Sequence, residues 1–160
     1  MNNLMIKVAS LDHADTLQEI HAAAFSSNAR FFPDNMEEDE DDEEDDELSF
    51  RSLIEMQTKV ILSIFDNNNL IGGAVLSTDE HNVKVLERLF ISPNLQGKGY
   101  GYLAWEKIEK MYPSPNGWRL RTPSCLINNV CFYVNKCGFS IVRVEDVGND
   151  GVGMYVFTKI

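Results

Sequence analysis

A glycine-rich segment contains the residues of this chain whose types and spacing are best suited to chemistry. The sequence LFISPNLQGKGYG, residues 89–101, runs from an apolar strand through a turn with three glycines at alternate positions into a helix. Glycines let the backbone approach a ligand closely, and they let successive N–H groups point into one concavity. The unpaired N–H groups and the positive dipole end of the helix favour an anion, above all a phosphate. The segment therefore predicts a phosphate-binding turn, to which Lys98 adds a positive charge.

This turn differs from two better-known phosphate-binding loops. A P-loop requires GxxxxGK followed by Ser or Thr, and the chain has no such run. A dinucleotide-binding fingerprint requires GxGxxG, whereas the spacing here is Gly97-x-Gly99-x-Gly101. On glycine spacing alone, a turn that only ends a strand is an equally good interpretation.

Hydrophobic periodicity indicates the elements that must position the turn. It predicts strands at 5–9, 60–65, 70–77, 83–91, 118–122, 141–147 and 154–160. It also predicts four helices, one after a cap at Ser10 or Asp12 and the others at 48–57, 99–111 and 129–137. The inner face of the helix at 99–111 is expected to carry Tyr100, Ala104, Ile108 and Met111.

The order of these elements, β-α-α-β-β-β-α-β-α-β-β, predicts an α/β or α+β fold with a mixed sheet. The strand at 83–91, the helix after it and the strand at 118–122 form a crossover unit. Such a unit places two parallel strands side by side, joined by a right-handed connection.

Two segments resemble motifs of the GNAT superfamily of N-acetyltransferases. QGKGYG at 96–101 resembles the family signature Q/R-x-x-G-x-G/A, and it follows a strand that ends in an apolar triplet and Ser-Pro. NVCFYVNKCGF at 129–139 resembles the family segment FYEKLGF. The element order is also similar, so the resemblance covers essentially the whole chain. It implies a mixed, mostly antiparallel sheet of six or seven strands, about four flanking helices and a splayed parallel strand pair in the middle.

The resemblance implies that acetyl-CoA binds as a co-substrate. The backbone of the strand end at 89–91 would pair with the pantetheine arm, and the N–H groups from Gly97 to Tyr102 would hold the pyrophosphate. Many members also contact the cofactor through an Asn at the position of Leu126, and of the nearby Asn128 and Asn129 we choose Asn129. The predicted cofactor-binding residues are thus Leu89, Phe90, Ile91, Gln96, Gly97, Lys98, Gly99, Tyr100, Gly101, Tyr102 and Asn129.

The resemblance also implies a general acid. Tyr133 matches the tyrosine that in many members lies beside the thioester sulfur and protonates the leaving thiolate. A positioned phenol can donate a proton to a departing thiolate as negative charge develops. In some members the tyrosine is only a core aromatic, as Tyr133 would be beside Phe132.

Glu87 is the candidate general base, because it is the only acid on the strand 83–91. It lies two residues from Val85, where some members carry a glutamate base, and residues two apart share a strand face. A surface ion pair of Glu87 with Arg88 or Arg121 is an equally good interpretation. Arg121 itself occupies a position where other members keep a glutamate.

The net charge of −11 comes from one segment of the 160 residues. Residues 36–47, MEEDEDDEEDDE, hold 11 of the 25 acidic residues, and the other 14 balance the 14 Lys and Arg residues. We expect an acidic, mobile loop at 34–48 within a single domain over 1–160, and no nucleic-acid partner. The loop could attract cationic amines, but a solvated insertion without substrate contact is the interpretation we favour.

Composition excludes several other classes of protein. No apolar run approaches the roughly 18 residues of a membrane-spanning helix, and the N-terminus has no signal-peptide pattern. The three cysteines lack the spacing of a metal site or a disulfide framework, and we expect no metal. We expect a cytoplasmic protein that is a monomer or a homodimer.

The sequence thus predicts an N-acetyltransferase that moves the acetyl group of acetyl-CoA to a primary amine by direct transfer in a ternary complex. One alternative is a protein or peptide N-terminal acetyltransferase. Another is a non-catalytic acyl-CoA-binding sensor or interaction module with a degenerate site.

Overall fold

The computed structural model describes residues 4–33 and 48–160. The predicted acidic loop, apart from Leu48, lies outside these residues. The strands are β1 (Leu4–Val8), β2 (Val60–Asp66), β3 (Asn69–Thr78), β4 (Lys84–Ile91), β5 (Trp118–Pro123), β6 (Ser140–Glu145) and β7 (Met154–Lys159). The helices are α1 (Ala14–Ser27), α2 (Phe50–Met56), α3 (Tyr100–Met111) and α4 (Ile127–Cys131). Every predicted element is present in the predicted order.

The seven strands form one mixed sheet in the order β1-β2-β3-β4-β5-β7-β6. All neighbours are antiparallel except β4 and β5, which are parallel as the crossover unit predicts. Their pairing is limited to Lys84 with Trp118 and Val85 with Arg119. The two strands therefore part after Val85, and the predicted fold class and splayed pair are confirmed.

The helices cover opposite faces of the sheet. Adjacent residues of β2 show this, because Ile61 lies in a cluster with Leu17 of α1 and Phe50 of α2, whereas Leu62 lies in a cluster with Trp105 of α3. Successive side chains of a strand point to opposite faces. One face therefore packs against α1 and α2 and the other against α3.

The inner face of α3 differs from the prediction at one position. Tyr100, Ala104 and Ile108 are buried as expected, but Met111 is 45% exposed. Trp105, which was not predicted to face inward, is buried and packs edge to face on Trp118, with ring centroids 5.0 Å apart. Ala104 and Trp105 are both buried because they pack into different parts of the core, Ala104 with Ile91 and Trp105 with Trp118, whereas Met111 is the last residue of the helix.

Two side-chain contacts hold α2 against α1. The Phe50 N–H donates to Oε1 of Gln18 at 3.0 Å, and Arg51 forms an ion pair with Asp15 at 3.7 Å. Ser49 caps α2 by accepting from the Ser52 N–H at 3.1 Å, which satisfies a backbone donor that the helix start leaves free. These contacts place the buried Phe50 side chain over the sheet.

No helix in the described parts of the chain is long and apolar enough to cross a membrane.

Candidate active site

The glycine turn, residues 96–101, connects the end of β4 to the start of α3. Gly97 and Gly99 have φ values of +80° and +89°, which residues with a Cβ rarely adopt. Gly99 is also the N-cap of α3 and brings the chain directly into the helix at Tyr100. Gly97 and Gly99 are therefore required by the backbone path of this turn, whereas Gly101 lies inside α3 and has no positive φ.

The turn presents free backbone donors to solvent. No side chain caps the start of α3, so the N–H groups of its first turn have no side-chain partner. Gly97 and Lys98 are exposed, and no heavy atom lies within 4 Å of the position that a Cβ on Gly97 would occupy. Open space beside uncapped N–H groups fits a phosphate or pyrophosphate.

Two side chains fix the turn to the sheet. Nε2 of Gln96 donates to the Ile91 carbonyl at 3.2 Å, and the Tyr100 hydroxyl donates to Oδ2 of Asp66 at 2.8 Å. The hydrogen bond to Asp66 raises the pKa of Tyr100, since it stabilises the protonated phenol. Both side chains are engaged with the protein, and the Gln96 N–H donates to the Pro93 carbonyl at 3.3 Å, so the backbone donors that remain for a ligand come after Gln96. The sequence contained no signal for the role of Asp66.

Four other residues of the predicted cofactor site, Leu89, Phe90, Ile91 and Tyr102, lie close to the glycine turn in the chain. Phe90 packs in the core cluster that includes Leu17 of α1 and Phe50 of α2, which we call the α1–α2 cluster. Leu89 and Ile91 pack on the opposite face with α3. These side chains belong to the core, and this part of β4 has no pairing to β5. Tyr102 is partly exposed on α3, and its hydrogen bond to Glu106 raises its pKa.

Tyr133 lies in a π-helical turn, Phe132–Lys136, that continues α4. We call this segment the tyrosine turn. The Tyr133 side chain is 8% exposed and packs in one cluster with Leu86 of β4 and Leu120 of β5, the strands that part. Burial raises the pKa of Tyr133 far above its usual value, and the Cys137 side chain contributes. The phenol therefore stays protonated at neutral pH.

The tyrosine turn contacts the glycine turn through Phe132. A Cβ on Gly101 would lie 3.4 Å from Cζ of Phe132, so the ring rests against the first turn of α3. The Phe132 ring also packs on Tyr133, with centroids 5.1 Å apart. The two predicted motifs are thus neighbours in the structure.

Asn129 lies in α4, immediately before the tyrosine turn. It is half-buried, and its carbonyl accepts from the Phe132 N–H. Within residues 4–33 and 48–160, its side chain makes no hydrogen bond to the glycine turn. Asn128 is exposed.

Glu87 forms an ion pair that the sequence did not predict. Its Oε1 lies 2.7 Å from Nζ of Lys59, and the two side chains are 27% and 33% exposed. Of the partners expected from the sequence, Arg121 pairs with Asp146 at 2.9 Å, and Arg88 lies over the Phe50 ring.

Glu87 is also the extra residue of a β-bulge. Leu86 aligns with Leu76 of β3 and Arg88 with Val75, so Glu87 has no partner in that register. A bulge interrupts the alternation of a strand. The rule that residues two apart share a face therefore does not relate Glu87 to Val85.

Burial raises the pKa of two of the three cysteines. Burial raises the pKa of Cys137 to about 12, so its thiol stays protonated and unreactive near neutral pH. Cys131 is exposed and Cys125 is half-buried, where burial also raises the pKa. The described ranges contain no group of three or more His, Cys, Asp or Glu side chains that could hold a metal ion.

Residues 15–139 match the family described as Acetyltransferase (GNAT) family. The uncharacterized protein YrkN from Bacillus subtilis (strain 168) is 38% identical to the chain over 85 residues. That match covers 52% of this chain and 46% of YrkN, so it spans less than half of the length of this curated relative.

Two solved structures share the fold along nearly the whole chain. An acetyltransferase of the GNAT family from Bacillus cereus ATCC 10987 is 14% identical with a TM-score of 0.68, covering 98% of this chain and 96% of that one. The PaiA N-acetyltransferase from Thermoplasma acidophilum, solved in complex with coenzyme A, is 20% identical with a TM-score of 0.68. That match covers 96% of this chain and 97% of the other.

Proposed function

The chain belongs to the GNAT family of acetyltransferases and is therefore an acyltransferase, and from this premise we propose that it transfers the acetyl group of acetyl-CoA to a primary amine. The transfer would be direct, within a ternary complex of enzyme, acetyl-CoA and acceptor. One observation carries the proposal: β4 and β5 part after Val85, and the free stretch of β4 leads straight into an uncapped glycine turn.

The cofactor would lie along this free strand and turn. The backbone of residues 89–91, which has no pairing to β5, is available to bond the pantetheine amides in place of a neighbouring strand. The N–H groups from Gly97 to Tyr102 would hold the pyrophosphate, with Lys98 as a nearby positive charge. Asn129 is a further candidate contact. The coenzyme A complex of PaiA, which has the same fold, supports this use of the site.

Tyr133 would act as the general acid. The neutral amine attacks the thioester carbonyl, a C–N bond forms, and the C–S bond breaks. The departing thiolate takes the phenolic proton of Tyr133, while the ammonium nitrogen of the product loses a proton to a base. A raised pKa keeps Tyr133 protonated until the thiolate develops.

Glu87 is the candidate for that base, directly or through water. Its carboxylate is bound to Lys59 at 2.7 Å, so it would accept a proton only if the ion pair loosens when the acceptor binds. The same ion pair favours the alternative that the chain binds acyl-CoA without turnover, as a sensor or interaction module.

Titration calorimetry separates these possibilities. Acetyl-CoA and free CoA should both bind, and ATP should not, because it lacks the pantetheine arm that the free stretch of β4 would bond. Release of the CoA thiol in the presence of amines then distinguishes an enzyme from a binding module. If neither form of CoA binds, the proposal is wrong and the glycine turn only joins β4 to α3.

A further inference from the structure

Arg88 is a half-buried cation on β4 whose guanidinium has no carboxylate partner within residues 4–33 and 48–160. Within the same residues, each of the other arginines of the sheet has a carboxylate partner. Arg119 pairs with Asp79 at 3.5 Å, Arg121 with Asp146 at 2.9 Å and Arg143 with Glu145 at 3.6 Å. Glu87, the acid next to Arg88 in the chain, is bound to Lys59 instead.

The guanidinium of Arg88 lies on the face covered by α1 and α2. Arg88 aligns with Val75 of β3, which is buried in the α1–α2 cluster. The Arg88 guanidinium carbon is 5.7 Å from the centre of the Phe50 ring, and that ring is 5.6 Å from Phe90. His21 of α1 packs edge to face on Phe90 at 5.1 Å. An arginine side chain thus borders an aromatic wall on the face opposite Tyr133.

The position of Arg88 along β4 relates this wall to the proposed reaction. Arg88 lies between Val85, where β4 and β5 part, and the strand end at 89–91 that would pair with the pantetheine arm. An acceptor that reaches the thioester from the α1–α2 face would pass Arg88, whose side chain lies beside the buried rings of Phe50 and Phe90. The tyrosine turn is on the other face, so the acceptor and the general acid would approach the thioester from opposite sides of the sheet.

A half-buried guanidinium is costly without a counter-charge, and its planar fork matches a carboxylate with two parallel hydrogen bonds. We propose that Arg88 binds a carboxylate of the acceptor, and that the acceptors are small amines carrying a carboxylate, such as amino acids. This inference rests on the proposed function, since it names the substrate class of the same site. The Phe50 ring lies within cation–π distance of the guanidinium, whose central carbon is 5.7 Å from the ring centre.

Matched pairs of amines test the inference, with CoA thiol release as the assay. Each pair contains an amino acid and the amine left by removal of its carboxylate, such as phenylalanine with 2-phenylethylamine and lysine with cadaverine. The wild type should favour the carboxylated member by roughly 10- to 100-fold in kcat/KM, which corresponds to the free energy contributed by a hydrogen bond to a charged group. Glycine, β-alanine and 4-aminobutyrate then measure the spacing between carboxylate and amine.

Variants of Arg88 assign the preference to the guanidinium. R88M should remove the preference for carboxylated acceptors, because kcat/KM should fall for those acceptors alone. R88K should retain part of the preference, because lysine keeps the positive charge but lacks the planar guanidinium. R143M is the matched control, because Arg143 is an exposed arginine on β6 with its own partner, Glu145. The affinity for acetyl-CoA should be the same in all four proteins.

A binding measurement keeps the test independent of turnover. N-acetylphenylalanine and N-acetyl-2-phenylethylamine are titrated into the protein saturated with CoA, and only the first should bind, with R88M abolishing that binding. Equal binding of the two, or a preference that survives in R88M, overturns the inference. Absence of acetyl-CoA binding would instead overturn the proposed function, so the two failures are distinguishable.

Discussion

The surroundings of Tyr133, the proposed general acid, set its protonation state. It is buried among aromatic rings, at 5.1 Å from Phe132 and 5.9 Å from Phe139 and Phe157. Burial disfavours the phenolate, so the pKa of Tyr133 is raised. The environment suits a proton donor and would not suit a base.

Replacing Tyr133 with Phe should lower kcat by about 10²- to 10⁴-fold, the range for loss of a general acid. The Kd for acetyl-CoA should change little, because the ring and its packing remain. Y155F is the matched control, since Tyr155 packs on Phe157 in β7 and has no proposed role. An unchanged rate in Y133F would assign the proton donor to another group.

The pH dependence follows from the same raised pKa. A tyrosine with the ordinary pKa of about 10 would be half ionised at that pH and would lose activity as an acid. Because the pKa of Tyr133 lies higher, its proton is retained, and kcat should show no fall below pH 10 due to this residue. A wild-type alkaline limb near pH 9 that disappears in Y133F would contradict the raised pKa.

The ion pair of Glu87 and Lys59 allows the base to be tested by two substitutions. E87Q removes the carboxylate and should lower kcat/KM by about 10²-fold or more if Glu87 accepts the proton. K59M frees the carboxylate and should leave kcat/KM nearly unchanged. Equal, small losses of rate in both variants, with similar losses of thermal stability, would identify a purely structural ion pair.

At the scale of elements, the junction of β4 and α3 is where we propose that acetyl-CoA binds. The strand supplies a free backbone edge, the glycine turn supplies N–H groups, and Asp66 and Gln96 hold the turn in place. Each contribution comes from a different element, so the site depends on how they are joined.

Replacing Gly99 with Val should raise the Kd for acetyl-CoA by at least about 100-fold, because a β-branched residue resists a φ of +89° and the N-cap would shift. G151V is the matched control. Gly151 has a φ of +82° and open space around it, in the loop between β6 and β7. Both variants carry similar strain, so only G99V should lose binding as measured by calorimetry. Comparable losses in the two would assign the effect to instability.

At the scale of the whole molecule, the fold keeps one stretch of central strand unpaired. β4 is the fourth of seven strands, yet its edge toward β5 is paired only at Lys84 and Val85. An unpaired edge inside a sheet exposes backbone donors and acceptors that a ligand can satisfy. The gap is thus a property of the sheet and of no single residue.

Hydrogen exchange measured by mass spectrometry should detect a ligand in this gap. Saturating acetyl-CoA should slow exchange in peptides that cover 86–91 and 96–102, because their N–H groups would gain partners. Peptides from β2 and β3 are the internal control, since those strands are already paired on both sides. Protection confined to regions outside 86–102 would refute the binding site.

Much of the fold follows from local patterns. The helix and strand periods predict every element, and the crossover unit predicts the parallel pair of β4 and β5. The glycine turn was also predictable, because alternate glycines before a helix leave few other backbone paths. The predictions were wrong in detail where tertiary packing departs from the helical period of the hydrophobic residues. Examples are the burial of Trp105 and exposure of Met111 in α3, and the π-helical turn that follows α4.

The sequence by itself determined the order of the elements and the position of the glycine turn, because each depends on residues close together in the chain. Through its resemblance to the GNAT family, the sequence also marked Tyr133 as a candidate acid. Only the tertiary structure decided the partner of Glu87, the bulge at Glu87, the anchoring of Tyr100 by Asp66 and the position of Arg88 beside the Phe50 ring. These features join residues far apart in sequence, such as Lys59 and Glu87. Which of several distant charges meet is fixed by strand register and helix packing, which one sequence does not encode locally.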